Sequence, residues 1–386
     1  MERLYFTPRP DWDRKAQEVG FSWRHDNGQP YWDETAAYAF SLKEIEDDLE
    51  APAEELHAMC LDLVAEVVGS ERLMEQADIP SEVRDYVAES WHRREPSLYG
   101  RFDFAYDGKG PAKLYEYNAD TPTSIFETAV FQWMWLEDKI ASGELPAHAD
   151  QFNSLYEKLL ARFGELFAHG TTLHFASDAT FIEDRQTVLF LEDIAQQAGL
   201  TPHFVALEQI GLDADGRFVD QNDGIIDALF KLYPWEQMLR DEWALNLRGA
   251  GVRMLEPAWK SILSNKAILP MLWARYPGHP NLLEAYFEGD PAASSLGRDY
   301  ARKPFFSREG ANVELMSQGV SSGMEDGGYG DGRHILQALH APPRFHGQHA
   351  IIGSWIVGNE AAGISVREDP GPVTRNTSRF LPHFIR

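Results

Sequence analysis

The stretch Tyr99-Gly-Arg-Phe-Asp-Phe-Ala-Tyr106, followed after a short turn by Lys113-Leu-Tyr-Glu-Tyr-Asn118, decides the fold of this 386-residue chain. Both runs alternate large aromatic side chains with polar or small ones, and a period of two is typical of a β-strand. The segment between them, Asp107-Gly-Lys-Gly-Pro111, has the glycine and proline residues of a turn. The sequence therefore predicts a β-hairpin over residues 99–118.

This hairpin has two chemically different faces, because successive side chains of a strand point in opposite directions. We expect the aromatic face to pack into the core, and it contains Phe102, Phe104, Tyr106, Tyr115 and Tyr117. The polar face contains Arg101, Asp103, Glu116 and Asn118. Two carboxylates and an amide oxygen suit Mg²⁺, and an adjacent arginine can hold a phosphate. The same alternation is also typical of a solvated sheet face, so both interpretations follow from the pattern.

Outside the hairpin, helical and strand periods alternate along the chain. Apolar residues at spacings of three and four predict helices over 52–67, from Ser81, over 152–167, over 185–198 and over 256–275. Strands are predicted at 171–176, 203–206 and 225–232, and a second hairpin joins 350–357 to 363–367. Strand–helix–strand alternation in the middle of the chain indicates a parallel α/β unit.

Composition narrows the class of protein. The chain carries 61 acidic against 35 basic side chains, a net charge of −26, which disfavours nucleic acid and anionic membranes as partners. Cys60 is the only cysteine, so an intramolecular disulfide and a cysteine-rich zinc site are excluded. No apolar run is long enough to cross a bilayer, and no signal-peptide pattern is found at the start. We therefore expect a soluble, cytoplasmic protein that acts on small molecules.

The hairpin and the residues after it resemble a known family. Gly100-Arg-Phe-Asp-Phe104, Tyr115-Glu-Tyr-Asn-Ala-Asp120 and Thr121-Pro-Thr-Ser124 are similar to the signature of the glutathionylspermidine and trypanothione synthetases. The resemblance implies that Arg101 meets the transferred phosphate. It also implies that Asp103, Glu116 and Asn118 bind Mg²⁺. Thr121 and Thr123 then occupy substrate positions where the family commonly has serine.

Further segments match the same family in the same order, from about residue 80 to residue 370. Ser264-Asn-Lys-Ala-Ile-Leu-Pro270 and Tyr300-Ala-Arg-Lys-Pro304 resemble the segments whose lysines contact ATP, which makes Lys266 and Lys303 the counterparts. Ser307-Arg-Glu-Gly-Ala-Asn312 and Gly363-Ile-Ser-Val-Arg367 resemble segments that bring active-site arginines, here Arg308 and Arg367. Phe181-Ile-Glu-Asp184 resembles an acidic pair that holds the amine substrate through Glu183 and Asp184. Adjacent acids are also favoured at a helix start regardless of substrate.

The resemblance implies a mixed α/β (α+β) fold with an ATP-grasp-type ligase core, a preceding α/β lobe and a lid. We expect one synthetase unit over 1–386, with an N-terminal and central lobe over about 1–255 that carries the hairpin 99–120. A lid over about 256–345 would include a mobile loop at 307–332, and a hairpin over about 346–386 would close the nucleotide cleft. The amidase domain of the two-function members is not expected, because only about 80 residues precede the matched region.

The implied activity is an ATP- and Mg²⁺-dependent carboxylate–amine ligase, acting through an acyl phosphate on a peptide-like acid and an amine. An alternative is a regulatory protein that binds ATP without catalysis. Two less specific patterns point elsewhere: Gly319-Val-Ser-Ser-Gly323 matches the nucleophile motif of serine hydrolases, and His346 with His349 forms a possible metal-binding pair. The sequence lacks a P-loop motif.

Overall fold

A computed structural model describes residues 1–26, 28–375 and 377–386. In this part of the chain no helix has the length and apolar character needed to cross a membrane. The α-helices are α1 (Trp12–Glu18), α2 (Leu42–Ile45), α3 (Ala51–Val67), α4 (Glu71–Gln76), α5 (Arg84–His92), α6 (Gln132–Ala141), α7 (Leu155–Leu166), α8 (Ile182–Gln197), α9 (Trp235–Met238), α10 (Lys260–Leu263) and α11 (Ile268–Arg275).

The β-strands range from two to ten residues and occur throughout the described chain. They are β1 (Glu2–Tyr5), β2 (His25–Asp26), β3 (Gln29–Pro30), β4 (Ala36–Phe40), β5 (Tyr99–Ala105), β6 (Lys113–Asn118), β7 (Thr172–Ser177), β8 (Thr201–Ala206), β9 (Gly211–Leu212), β10 (Phe218–Val219), β11 (Ala228–Lys231), β12 (Arg253–Leu255), β13 (Ala285–Phe287), β14 (Tyr300–Pro304), β15 (Glu314–Ser317), β16 (Val320–Ser321), β17 (His334–Ala338), β18 (Arg344–Phe345), β19 (Gln348–Val357), β20 (Glu360–Asp369), β21 (Arg379–Leu381) and β22 (His383–Ile385).

The predicted hairpin is confirmed as β5 and β6, at one side of a six-stranded antiparallel sheet. The order is β21-β20-β19-β5-β6, with β18 also paired to β19. The second predicted hairpin, β19 and β20, is thus part of the same sheet, with Ser354 opposite Phe102. Helix α3 packs on one face of this sheet through Leu56, Cys60 and Val64, all of which are fully buried. Segments 99–118 and 348–381 therefore form one structural unit, although they are far apart in sequence.

A second sheet, five-stranded and antiparallel, faces the hairpin in the order β13-β17-β14-β15-β16. Strands β15 and β16 form within the glycine- and serine-rich segment 307–332, so this segment is partly ordered as a sheet edge. The continuous helix predicted over 256–275 is wrong, because α10 and α11 are separated at residues 264–267. In this break Asn265 caps the next turn by accepting a hydrogen bond from the amide of Ala267.

The predicted parallel α/β unit is confirmed as a four-stranded sheet in the order β12-β11-β7-β8. Helices α7 and α8 cover it and bury Phe163, Leu191 and Ile194 against Phe175 and Phe230. A fourth sheet, β1-β4-β22, joins the two ends of the chain and packs under Trp32 and Trp135. The fold is therefore a mixture of helix and sheet, as the sequence predicts.

A buried ion pair connects the hairpin to the parallel sheet. The Nζ of Lys260 lies 2.8 Å from Glu256 Oε2 and donates to the carbonyl oxygen of Tyr99 at 2.6 Å. The Glu256 carboxylate also accepts hydrogen bonds from the amides of Leu98 and Tyr99. Both side chains are almost completely inaccessible to solvent, so each charge depends on its partner for compensation.

We expect Lys260→Met to reduce the free energy of unfolding by about 3–5 kcal/mol, because the Glu256 carboxylate is then buried without a counter-charge. Chemical denaturation would measure this loss. The matched control is Lys158→Met, which removes a solvent-exposed pair with Glu360 at 3.0 Å and should cost no more than about 1 kcal/mol. Equal losses in the two variants would contradict the role given to Lys260.

Candidate active site

A cavity of about 470 Å³ opens between the six-stranded and five-stranded sheets. Every site residue predicted from the sequence lines this cavity: Arg101, Asp103, Glu116, Asn118, Thr121, Thr123, Glu183, Asp184, Lys266, Lys303, Arg308 and Arg367. These residues come from segments spread over more than 260 positions of the chain, and the fold brings them to one place.

Arg101 and Asp103 form a buried pair on β5. The guanidinium donates from Nε to Asp103 Oδ1 at 2.8 Å and from Nη2 to Oδ2 at 3.3 Å. Its Nη1 donates to the carbonyl oxygen of Thr123 at 3.1 Å, which fixes the start of the segment after the hairpin. The ring of Trp355 on β19 supports the guanidinium from 5.5 Å. Arg101 is therefore held in place before any ligand arrives.

Glu116 lies directly opposite Asp103 in the register of the hairpin. Its Oε2 is 3.0 Å from Lys266 Nζ, and its Oε1 accepts a long hydrogen bond of 3.4 Å from Asn118. Burial alone would raise the pKa of Glu116, but Lys266 and Lys303 hold the pKa below its usual value. The carboxylate is therefore ionised at neutral pH, as a metal ligand needs to be.

Lys303 on β14 completes the basic side of the cavity. Its Nζ donates to Gln337 Oε1 at 2.7 Å and to the carbonyl oxygen of Tyr115 at 3.1 Å. Burial, and to a lesser extent Lys266, lower the pKa of Lys303 to about 8, although Glu116 opposes the change. An anion in the cavity would relieve this cost by stabilising the charged ammonium.

The prediction that Tyr115 packs into the core is wrong. Strand β6 has a bulge there: Asp103 pairs with Glu116 but Phe104 pairs with Leu114, which leaves Tyr115 without a partner on β5. Leu114 consequently occupies the core beside Phe104, and the Tyr115 ring lines the cavity 5.2 Å from Lys303 Nζ. Bulges commonly redirect a side chain beside a functional site.

The two remaining arginines, Arg308 and Arg367, are held by fewer hydrogen bonds than Arg101. Arg308 is 42% exposed and donates to Thr121 Oγ1 at 2.8 Å, which connects segment 307–332 to the residues after the hairpin. Arg367 donates from Nη2 to the carbonyl oxygen of Arg375 at 2.9 Å. Its buried Nε has no hydrogen-bond partner among the described residues, nor do the hydroxyls of Ser264 and Ser307, which also line the cavity.

One end of the cavity is acidic. Glu183 and Asp184 lie in the first turn of α8, and Glu236 and Glu309, which the sequence reasoning missed, line the same end. Burial and the neighbouring Glu183 raise the pKa of Asp184 to about 6, and burial raises the pKa of Glu236 and Glu309 as well. Such a cluster would bind a cation favourably, because positive charge stabilises the ionised carboxylates.

Glu127 lies beneath this acidic end and was also missed. It is fully buried, accepts a hydrogen bond from Trp23 Nε1 at 2.6 Å, and lies close to the cavity-lining Tyr31. Burial and the nearby Glu183 raise the pKa of Glu127 to about 7. Its contacts come from residues 23 and 31, about a hundred positions away, and no local sequence pattern indicates them.

The other end of the cavity is apolar. Ala301, Val313, Leu315, Leu339 and Ile351 line it, and they come from both sheets or the segments beside them. The backbone of 338–342 runs along this side, where Ala338 and Leu339 are already bonded through their amides to Glu284 and Asp299. This apolar end of the cavity suits a flat, largely apolar group.

Two sheets that enclose a cavity with an apolar end, a cluster of cations and facing carboxylates define a fold of the ATP-grasp ligase type. Along residues 3–386 the chain matches the family model described as "Glutathionylspermidine synthase preATP-grasp". The protein belongs to the glutathionylspermidine synthase family and is a carbon–nitrogen ligase of that family.

Individual relatives agree with this assignment. A Haemophilus influenzae protein named "Putative acid–amine ligase" is 41% identical, and the match covers 98% of both chains. Trypanothione synthetase of Crithidia fasciculata is 29% identical over 84% of this chain, and the bifunctional glutathionylspermidine synthetase/amidase of Escherichia coli is 27% identical over 93%. The chain spans 53% and 61% of the length of these last two proteins.

The fold is also similar to that of a solved structure, a glutathione synthetase-like effector from Globodera pallida in its apo form. The TM-score is 0.54 at 11% sequence identity, with 90% of this chain and 89% of the other chain covered. This likeness concerns the fold and agrees with the mixed architecture described above.

The two competing sequence patterns do not form sites in the structure. Ser321 lies in the short edge strand β16, whereas a hydrolase nucleophile requires a strand-to-helix turn. His346 stacks on Tyr5 with ring centroids 5.2 Å apart, while His349 Nδ1 lies 2.9 Å from the carbonyl oxygen of Pro342. These two histidines therefore have local structural contacts.

We expect Glu127→Gln to raise stability above neutral pH. A carboxyl whose pKa rises from 4.5 to about 7 on folding contributes stability that is present below pH 4.5 and is lost as the pH passes 7. At about 1.4 kcal/mol per pH unit, this loss is about 3 kcal/mol. Unfolding free energies of both proteins between pH 4 and 8.5 should diverge by about that amount. The control Glu137→Gln, on the exposed side of α6, should follow the wild type, and a Glu127 variant that does the same would contradict the prediction.

Proposed function

We propose that this protein joins a peptide-like carboxylate to an amine, using ATP and Mg²⁺, through an acyl phosphate. The observation that carries the proposal is the pair of facing carboxylates, Asp103 and Glu116, with Arg101, Lys266 and Lys303 beside them in a cavity that Arg308 and Arg367 also line. The apolar end would hold the purine, the cations the phosphates, and the acidic end the amine. Membership of a ligase family supports this arrangement.

The basic residues suit the transfer of a phosphoryl group. When a substrate carboxylate attacks the γ-phosphate, negative charge spreads over the transferred oxygens, and catalysis consists mainly of positioning and electrostatic stabilisation. Arg101 is preorganised by Asp103 and Trp355, while Lys266 and Lys303 are buried and charged side by side. Arg367 retains a buried, unpartnered Nε donor in the described structure. We assign these four side chains, together with Arg308, to the phosphates.

The donor set of Asp103, Glu116 and Asn118 fits Mg²⁺, which prefers oxygen ligands. Each carboxylate oxygen already contacted by a cation still has a lone pair to offer. The bound ion would supply neutralisation of charge on the transferring phosphate. Arg101 and Lys266 already neutralise these carboxylates, so the proposed metal site lies directly beside the side chains that we assign to the phosphates.

Segment 307–332 provides a means of excluding water, which would otherwise hydrolyse the acyl phosphate. Arg308 reaches Thr121, so the segment already contacts the opposite wall of the cavity. We assign residues 256–345 to the lid of the site, residues 1–255 to the lobe with the hairpin, and residues 346–386 to the hairpin that borders the nucleotide. Thr121 and Thr123 would contact the acid substrate.

Glu116→Gln should reduce the turnover of ATP by two or more orders of magnitude, because it keeps the size of the side chain and removes a charge from the proposed Mg²⁺ ligands. Phosphate release with a panel of peptides and amines would measure turnover, and calorimetry would measure affinity for MgATP. Glu360→Gln, at an exposed carboxylate, is the matched control and should be neutral. Wild-type turnover in the Glu116 variant would overturn the proposed metal site, and MgATP binding without turnover by the wild type would favour a regulatory protein.

Glu183→Gln combined with Asp184→Asn should raise the KM for the amine by at least tenfold and leave the KM for ATP nearly unchanged. The reason is that these carboxylates form the acidic end of the cavity, away from the lysines that we assign to the phosphates. Initial rates with amines of one to four positive charges would show whether the penalty grows with charge. A rise in the KM for ATP of the same size would contradict the division of the cavity.

A further inference from the structure

Two histidines and an aspartate meet at the edge of the parallel sheet, outside the cavity of the proposed ligase site. His174 on β7 lies directly opposite His203 on the edge strand β8 in the parallel register. Asp220 follows the short strand β10 and approaches both rings. Its Oδ2 is 3.2 Å from His203 Nε2 and 3.7 Å from His174 Nε2, so the three atoms lie within 4.8 Å of one another.

The aspartate is oriented by its own turn. Asp220 Oδ1 accepts hydrogen bonds from the amides of Asn222 at 2.8 Å and Gly224 at 2.9 Å, which leaves Oδ2 directed at the histidines. Gly224 keeps the space beside that oxygen open, because a Cβ there would lie 2.9 Å from Oδ2.

The histidine nitrogens are available as ligands. His203 Nε2 is buried and makes no hydrogen bond in the described part of the chain, although it is close to Asp220. His174 is buried, and its Nε2 lies 3.7 Å from the same carboxylate oxygen. Neutral imidazoles and a carboxylate together form the donor set that Zn²⁺ and similar ions prefer.

We propose that His174, His203 and Asp220 bind one divalent transition-metal ion, with Zn²⁺ as the best fit. Tetrahedral coordination with bonds of about 2.0–2.1 Å places ligand atoms about 3.3 Å apart, close to the 3.2 and 3.7 Å in the structure. Three protein ligands leave one position for water. His203 is 40% exposed although its Nε2 is buried, so the proposed site lies just beneath the surface.

A metal ion at this site would join the edge strand β8 to β7 and to the residues after β10. Strand β8 is hydrogen bonded on one side only, to β7, and the β9–β10 hairpin is a separate two-stranded sheet. The hairpin already packs on the sheet through Phe218, which belongs to one buried cluster with Ala176 and Val205. A metal ion bound by all three segments would add a direct link between them. His174 Nδ1 has no partner among the described residues, and loss of such an outer contact weakens metal sites by roughly 10–100-fold. The affinity should therefore be moderate, and the ion exchangeable.

Calorimetric titration of the untagged, metal-stripped full-length protein with ZnCl₂ would test the proposal. The buffer should contain saturating Mg²⁺, so that the carboxylates of the ligase site are occupied. We expect one Zn²⁺ per chain in the wild type, together with a higher Tm when Zn²⁺ is present. Co²⁺ in place of Zn²⁺ should give the visible absorption of a four-coordinate ion.

His203→Ala and Asp220→Asn should each abolish the stoichiometric site and the rise in Tm while keeping the metal-free Tm and the ligase rate. His346→Ala is the matched control, since it removes an exposed histidine from another surface. Glu116→Gln should also retain the site, which separates it from the proposed ligase metal. The absence of one-to-one binding in the wild type, or its persistence in the His203 and Asp220 variants, would overturn the proposal.

Discussion

The pairing of Asp103 and Glu116 on one face of the hairpin, the first buried and the second partly buried, is the constraint on which the site depends. Two facing carboxylates repel each other in a medium of low polarity, so each requires a cation at hydrogen-bond distance. Arg101, from the same strand, compensates Asp103, but the partner of Glu116 is Lys266, from the break between two helices 150 positions later. Lys266 reaches Glu116 from the turn between α10 and α11, and this turn would not exist if residues 256–275 formed one continuous helix. The helix break therefore supplies the positive charge that the polar face of the hairpin requires.

The same cavity separates charge along its length. Arg101, Lys266 and Lys303 lie around the facing carboxylates, whereas Glu183, Asp184, Glu236 and Glu309 line another part of the cavity, with Arg308 3.9 Å from Glu236. The net charge of −26 describes the whole chain and does not indicate a particular ligand. The separation of acidic and basic side chains within the cavity does indicate the charges of its ligands. A reaction between two substrates of opposite charge requires that each be attracted to its own end. Glu127, buried below with a raised pKa, makes the acidic end more dependent on a cationic occupant.

Local patterns predicted most of the fold but not the details of the site. Alternation identified β5 and β6, and helical spacing identified α3, α7 and α8, because these signals depend on which face is buried. Tyr115 was assigned to the wrong face, since a bulge inserts one residue and shifts the alternation without any mark in the sequence. The resemblance to a family supplied Lys266, Lys303 and Arg367, whose proximity no periodicity reveals. Glu127 and the His174–His203–Asp220 cluster depend on contacts between distant segments, and these are the contacts that reading along the chain cannot recover.

The interleaving of the central sheet has a consequence for biosynthesis. Strand β5 is bordered on one side by β6, its neighbour in sequence, and on the other by β19, about 250 residues later. During translation one edge of β5 therefore stays unpaired until β19 has been synthesised, when nearly the whole polypeptide has left the ribosome. Closing such a long loop is slow, and an unpaired edge is prone to aggregate. Nascent chains that stop before residue 348 would expose this edge and lack Arg367, so we expect chaperones to recognise them and no partial product to have ligase activity.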